Sequence, residues 1–425
     1  VRAEQPAPVT VEETSEILIV GDSITHASVG DYSWRYFAWQ QLRSAKADVD
    51  FVGPERDPFV GRGSTWRPRY SDADFDQDHA ATWGDRIAFQ PLHDRTALMT
   101  TYRPDVVVLA LGANDLGWME MDPHDVLPWT RAWLVEARRL VPDVDIVLVD
   151  VPWTTSADAR TYNSLLEDLA AELDDSRARV IVAAAAHDYQ MGRKNGTGDT
   201  YDAMHPNTRG QVKIAAAVTD ALAELGVGSR YPRPLRFPAE GPRVRPQIQG
   251  RSSTTTAKWR WSVPPGTTSF DVWLQRQGKR WVRADRSRSI NTYRVKDPQR
   301  CEAQTLRVRS RKGWTLAGRD MTTRSLTLRV GPKVSGRATL RGAKPRTRGV
   351  AVSWARTRGA CAYVVRAVRV DNQGQRIVAQ SVVTASRRST VVRGVRSRTK
   401  VRVQVRAMGA RNATRWSKTR VVRPR

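Results

Sequence analysis

Between residues 17 and 225, apolar strand-like runs alternate with amphipathic helical ones, and this alternation restricts the fold more than any other property of the chain. Ile17-Leu18-Ile19-Val20 reads as a buried strand, Asp105 to Leu111 as a valine-rich one, and Asp145 to Val151 and Arg179 to Ala184 as two more. Val126 to Leu140, Asp158 to Leu173 and Thr208 to Leu225 carry the helical period. Earlier, Tyr32, Tyr36, Trp39 and Leu42 are spaced as one helical face expected to point at the core, and Val49 to Val52 follows as a short strand ended by Gly53-Pro54. The alternation predicts an α/β domain whose mostly parallel sheet is covered on both faces. Sites in such sheets lie beyond the carboxyl ends of the strands.

The pattern stops at Gly228 to Pro246, where Pro232, Pro234, Pro238, Pro242 and Pro246 predict an ordered, non-helical linker. Beyond it, short alternating runs replace the helices. Ala257 to Val263 and Phe270 to Leu274 open one set, Val350 to Trp354 and Tyr363 to Val368 another, and Arg307-Val308-Arg309 and Arg402-Val403-Gln404-Val405-Arg406 stand at similar late positions. We read a repeat of two all-β, immunoglobulin-like sandwiches with basic side chains on the outward strand positions. The expected division is an N-terminal extension (1–16), an α/β domain (17–227), a linker (228–243) and two β modules (244–331 and 332–425).

Charge divides at the same place. Residues 1–240 hold 24 Lys and Arg against 37 Asp and Glu, a balance of −13, whereas the remainder holds 46 bases against six acids, a balance of +40. A block of one sign recruits the opposite one, so the second half is suited to a polyanion or an acidic surface. Cys301 and Cys361 are too few for a disulfide scaffold or a zinc site of usual spacing, and their positions leave pairing open. No run has the length of a membrane-spanning helix. The opening Val1-Arg2-Ala3-Glu4-Gln5-Pro6-Ala7-Pro8 resembles the polar start of a secreted protein after removal of its signal, which points to a secreted or cell-surface location.

Four stretches carry chemistry. After the first strand, Gly21 permits a sharp turn and Asp22-Ser23 stands where a helix begins, next to free backbone N–H groups; alone, the triplet reads first as a helix cap at Ser23. Gly84 lies in the loop His79-Ala80-Ala81-Thr82-Trp83-Gly84-Asp85-Arg86. Gly112-Ala113-Asn114-Asp115 follows the valine-rich strand, and Asp202-Ala203-Met204-His205-Pro206-Asn207 precedes the last helix. Acyl transfer needs a nucleophile, a base, a group that orients the base and donors for an oxyanion, and these stretches contain every part.

On these motifs, residues 17–225 resemble the SGNH (GDSL-type) hydrolases. The resemblance implies a flavodoxin-like, three-layer α/β/α fold with Ser23 as nucleophile, His205 as general base and Asp202 orienting the imidazole. It also implies an oxyanion hole made by the N–H groups of Ser23 and Gly84 and the Asn114 side-chain amide, with no metal or cofactor. Ala203 stands where the family often has glycine, a departure that removes no functional atom. His26, His79, His93, His124 and His187 lack a comparable carboxylate-and-turn context and are expected to be structural or solvent-facing, with His26 and His79 also placed to line the pocket. Asp72, Asp74, Asp76 and Asp78 alternate like a calcium loop, but Gln77 and Trp83 occupy the places of its glycine and closing glutamate, so a solvated acidic loop is expected.

The helix Tyr32 to Leu42 followed by Val49-Asp50-Phe51-Val52-Gly53 is similar to the arrangement in SGNH carbohydrate esterases that remove small acyl groups, notably acetyl. Trp66, Tyr70 and Trp83 could stack on sugar rings, and His26, Trp66 and Trp83 are the candidate substrate-binding residues. No long apolar lid is present, which weighs against a lipase of longer acyl chains. The β modules resemble fibronectin type III domains through Trp261, Trp354 and the late Val/Arg alternation, although Thr305 and Val401 stand near the place of the usual tyrosine. The expected partners are an acylated carbohydrate as substrate and an anionic cell-wall polymer or acidic polysaccharide bound by residues 241–425. Docking onto the acidic first half is a further option for that basic surface. Specific nucleic-acid binding is not expected, since no recognition helix or RNA-binding motif accompanies the charge. The rival from another class is a wall-binding adhesion protein with a vestigial esterase fold. The oligomeric state is left open.

Overall fold

Six parallel-paired strands, rich in small or β-branched apolar residues, organise the first half: Ser15–Gly21 (β1), Val49–Val52 (β2), Ala80–Ala81 (β3), Val106–Ala110 (β4), Asp145–Val149 (β5) and Val180–Ala183 (β6). They form one sheet in the order β2-β1-β4-β5-β6, with β3 pairing the end of β1. The computed structural model describes residues 14–60, 68–89, 94–193, 197–239, 241–295, 298–371 and 374–425. In register, Ile17 faces Phe51 on one side and Val106 on the other, and Val107 faces Ile146. All five are buried, as near-continuous apolar strands require when helices cover both faces.

The helices are Ser23–His26 (α1), Trp34–Ser44 (α2), Arg95–Tyr102 (α3), Ala113–Gly117 (α4), Pro123–Leu140 (α5), Ala157–Leu173 (α6) and Thr208–Glu224 (α7). Polar caps start all of these but α4, which Gly112 opens: the side chains of Asp22, Ser33, Asp94, Asp122, Ser156 and Asn207 each accept an N–H from the first turn. The face of α2 is rotated from the expected one. Trp34, Phe37, Ala38 and Leu42 are buried, whereas Tyr32, Tyr36 and Trp39 are half-buried at the margin of the core. The cap at Ser33 explains this, since it leaves Tyr32 outside the helix and starts the i, i+3, i+4 stripe at Trp34.

The chain forms two compact units. The first runs to Arg245 and also takes in Val263–Ser269 and Ser310–Met321; the second comprises Pro246–Ser262, Phe270–Arg309 and Thr322–Arg425. Among the described residues beyond 247, the regular elements are strands, apart from one 3₁₀ turn: Ile248–Ser252 (β7), Ala257–Trp261 (β8), Ser269–Arg276 (β9), Val282–Arg288 (β10), Thr292–Arg294 (β11), Ala303–Lys312 (β12), Thr315–Leu316 (β13), Leu326–Arg329 (β14), Leu340–Arg346 (β15), Gly349–Trp354 (β16), Ala362–Asp371 (β17), Gly374–Thr384 (β18), Ser389–Arg393 (β19), Val401–Met408 (β20) and Arg420–Val422 (β21). They make two pairs of sheets, β11-β8-β7 with β10-β9-β12-β13, and β15-β16-β19 with β18-β17-β20-β21, while β14 also pairs β12. Each pair closes over its own aromatic core, Trp259, Trp261 and Phe270 in the first and Trp354 and Tyr363 in the second. The period-two pattern is clearest in β20, where Val401, Val403 and Val405 are buried and Arg402 is exposed. Cys301 and Cys361 form a disulfide, with Cα atoms 5.3 Å apart, so the second unit is cross-linked between its two sandwiches.

Candidate active site

Ser23 opens α1 directly after β1, with Asp22 as the cap whose Oδ1 accepts the Ile24 N–H at 2.8 Å. The first N–H groups of a helix have no partner within it, and that of Ser23 meets none among the described residues. Ser23 Oγ lies 3.1 Å from His205 Nε2, and His205 Nδ1 lies 2.9 Å from Asp202 Oδ2. The other carboxylate oxygen of Asp202 accepts the N–H groups of Met204 and His205 at 2.9 and 2.7 Å, so the turn that leads into α7 fixes acid and imidazole together. Burial presses the Asp202 pKa upward, but its hydrogen bond and charge interaction with His205, with the two N–H bonds, outweigh burial and hold it below the ordinary carboxylate value. Hydroxyl, imidazole and carboxylate therefore stand in a line that can move a proton off the serine.

The loop after β3 brings in Gly84. Its φ of +86° is a left-handed conformation that glycine adopts at no steric cost, and its N–H also meets no partner among the described residues. Asp115, fully buried, holds this loop by accepting the N–H groups of Ile87 and Ala88 at 3.1 and 2.9 Å. Next to it on α4, Asn114 Nδ2 donates to Asp85 O at 2.6 Å and lies 3.4 Å from Asp22 Oδ2. A primary amide has two N–H donors, so the one that is only weakly engaged is available to a developing oxyanion.

Beneath these groups lie residues to which motif reading assigns no role. Asp22 is buried, and burial lifts its pKa to about 7 against the pull of the Ile24 N–H and the His205 charge. Asp150, at the end of β5, is likewise raised by burial to about 7, and both line a cavity of about 20 Å³. Arg35 is fully buried on α2 and clamps the Ser23 turn to a distant loop: Nε donates to Thr25 O at 3.2 Å, Nη1 to Gln77 O at 2.9 Å and Nη2 to the Tyr70 hydroxyl at 2.5 Å. Burial lowers its pKa. Nothing in the spacing of α2 distinguishes this arginine from a surface one.

The aromatic expectations divide. Tyr70 is not a sugar platform; it is 2% exposed, and its hydroxyl donates to His26 O at 3.1 Å. Trp66 and His93 lie outside the described residues. Trp83 is half-buried and its ring lies near-parallel to those of Phe59 (4.4 Å) and His205 (4.5 Å). His26 accepts the Trp83 N–H on Nδ1 at 3.2 Å and meets Asp57 O through Nε2 at 2.9 Å, an arrangement that suits the neutral Nε2–H tautomer. His79 is fully buried next to it, and its Nδ1 accepts the Ala81 N–H at 3.0 Å. In the acidic loop, Asp72 accepts from Tyr36, Asp76 caps the Phe51 N–H at 2.7 Å, and Asp78 pairs with Arg56 at 2.8 Å, so these carboxylates tie the loop to α2, to β2 and to the chain after β2.

A parallel sheet with a serine, a histidine and an acid converging at the carboxyl ends of its strands defines a class, the serine hydrolases of α/β type. Residues 19–213 match the model of the GDSL-like Lipase/Acylhydrolase family, and this part of the chain is a GDSL-type domain of a serine ester hydrolase. Among solved structures, the chain is similar to a carbohydrate esterase family 3 protein of Talaromyces cellulolyticus, with 23% identity, a TM-score of 0.40 and coverage of 50% of this chain and 98% of that one. A family 3 carbohydrate esterase of Clostridium thermocellum gives 23% identity, a TM-score of 0.41 and coverage of 50% and 97%. For the β region, a two-domain fibronectin type III segment of chicken tenascin gives 14% identity, a TM-score of 0.21 and coverage of 42% and 98%. No curated protein matches the chain. Among the described residues, no helix is long and apolar enough to cross a membrane.

Proposed function

We propose that residues 17–227 hydrolyse small O-acyl esters, acetyl foremost, on a carbohydrate or cell-wall polymer outside the cell. The carrying observation is the hydrogen-bonded line Ser23–His205–Asp202 beside the N–H groups of Ser23 and Gly84. His205 Nε2 takes the Ser23 proton as Oγ attacks the acyl carbon, and the oxyanion is met by the two backbone N–H groups and Asn114 Nδ2. Collapse expels the sugar hydroxyl, which takes its proton from His205. Water, deprotonated by the same nitrogen, then hydrolyses the acyl-serine and releases the free acid.

A carbohydrate acceptor is supported by Trp118, which is 85% exposed one turn beyond Asn114 and offers a flat apolar face of the kind on which sugar rings stack. The Cys301–Cys361 bridge supports an extracellular setting, since disulfides persist where the surroundings are oxidising. The exposed arginines of the second unit support binding of an anionic polymer. One hollow of about 430 Å³ there is lined by Arg337, Lys418 and Arg420 and by no acid.

The test is hydrolysis of nitrophenyl esters from acetyl to long acyl chains by the intact protein and by Ser23→Ala. Ser23-dependent turnover that peaks at acetyl, followed by acetate release from an acetylated polysaccharide, is the expected result; a long-chain peak moves the reading to a lipase. Trp118→Ala should raise KM severalfold on the polysaccharide and leave nitrophenyl acetate turnover unchanged.

A further inference from the structure

Within the first unit, the segment Ser310–Met321 carries the two-residue turn between β12 and β13, and the tip of that turn reaches the residue next to the catalytic acid. Trp314 N donates to Tyr201 O at 2.9 Å. Gly313 sits so close to Tyr201 that a Cβ there would stand 1.7 Å from the Tyr201 carbonyl oxygen, and its φ of +50° excludes most side chains besides. Lys312, 1% exposed, places Nζ 3.9 Å from the centroid of the Tyr201 ring and 2.5 Å from Asp31 Oδ1. The Tyr201 ring in turn lies near-parallel to the His205 imidazole, at 5.7 Å and 16°.

These contacts close a circuit. Phe59, Trp83, His205 and Tyr201 follow one another as stacked rings, and Lys312 stands on the last of them. Its partner Asp31 accepts the Ser28 hydroxyl at 2.7 Å, and the same turn binds back to the first ring, with Val29 N donating to Phe59 O at 3.1 Å and Phe59 N to Ala27 O at 3.0 Å. Every link is a ring face, a hydrogen bond or a buried ion pair. Such a frame limits out-of-plane motion of the imidazole and keeps Nε2 aimed at Ser23, where a displacement of about 1 Å can cost about a hundredfold in rate.

We propose that Lys312 is a positioning residue for His205, acting through Tyr201, so that the tip of a strand pair far along the chain is part of the hydrolase site. This rests on the reading of His205 as the base. The cation gives the Tyr201 ring a face-on partner, and the Asp31 carboxylate neutralises the buried charge so that the partner can be held there.

The experiment measures kcat and KM on nitrophenyl acetate, a substrate too small to report on polymer binding, for the full-length chain and four variants. Lys312→Met should lower kcat about 10- to 100-fold with KM within about twofold, and Lys312→Arg, which retains a cation for both Asp31 and the ring, should recover most of the loss. Because Lys312→Met leaves Asp31 unpaired, Asp31→Asn/Lys312→Met is measured beside it; it carries no orphan charge and should show the same fall in kcat while folded. Wild-type kcat in the folded double variant, or a loss confined to thermal stability, would overturn the proposal. Ser23→Ala is the control: if it retains activity, the hydrolase assignment itself fails, whereas a Ser23-dependent activity indifferent to Lys312 removes this inference alone.

Discussion

The two compact units handle their charges in opposite ways. In the α/β unit carboxylates are drawn inside: Asp22, Asp85, Asp115, Asp150 and Asp199 are all at most 6% exposed. A buried carboxylate must be neutral, paired or well hydrogen-bonded, so such groups can orient loops and an imidazole with little slack. In the sandwiches the buried positions are overwhelmingly valine and aromatic, and arginine falls on alternate, outward positions of strands such as β20. Charged exceptions are Asp271, fully buried and paired with Arg283, and Arg311 and Lys312 at the end of β12. An exposed guanidinium costs little to keep and is available to a partner. Inward charge builds a site, and outward charge builds a surface.

The contrast can be broken first at its chemical end. Ser23→Ala should reduce kcat by about a millionfold and Asn114→Ala by roughly a hundred- to a thousandfold, both read on nitrophenyl acetate. Next comes the cost of removing an inward charge. Arg35→Met strips the donors from Thr25 O, Gln77 O and the Tyr70 hydroxyl at once and should lower stability by about 2–4 kcal/mol in urea or thermal unfolding. An unchanged midpoint would mean that the clamp is ornamental.

Asp150 sharpens the comparison through pH. Burial raises its pKa to about 7, so the folded chain keeps a proton that the unfolded chain, with a carboxylate near about 3.9, releases. Its contribution to stability is full below about pH 4 and is lost as pH rises through about 7. Asp150→Asn keeps a neutral group throughout. The variant's Tm should therefore match the wild type near pH 4 and exceed it increasingly toward pH 8, by the equivalent of a few kcal/mol at most. The smallest effect belongs to the outward charges. Arg337→Ala/Lys418→Ala/Arg420→Ala should weaken retention on an anionic polysaccharide about tenfold at low salt, less as salt rises, and leave nitrophenyl acetate turnover alone.

Much of this contrast can be read from the chain itself. Alternating periods announce the parallel sheet, and the Ser23, Asn114, Asp202 and His205 stretches fall where the structure joins or clusters them, because each follows a strand or precedes a helix in a short, local motif. What local pattern could not convey is set by tertiary contact. Short elements such as α1, α3 and α4 have too few residues to show a period, and the buried face of α2 depends on where Ser33 caps it. Tyr70 looks like any loop aromatic until Arg35 is seen against it. Lys312, 281 residues from Asp31, is one base among many in a basic region until the fold pairs them.

The Cys301–Cys361 bridge closes a stretch of 60 residues that runs from β12 through β16. A protease that cuts once inside that stretch severs the backbone between the hydrolase half and the last strands of the second sandwich without parting them, because the sulfur bond still joins the two fragments. A single nick there would leave the hydrolase half covalently tied to the last basic strands, and release would need reduction as well as cleavage.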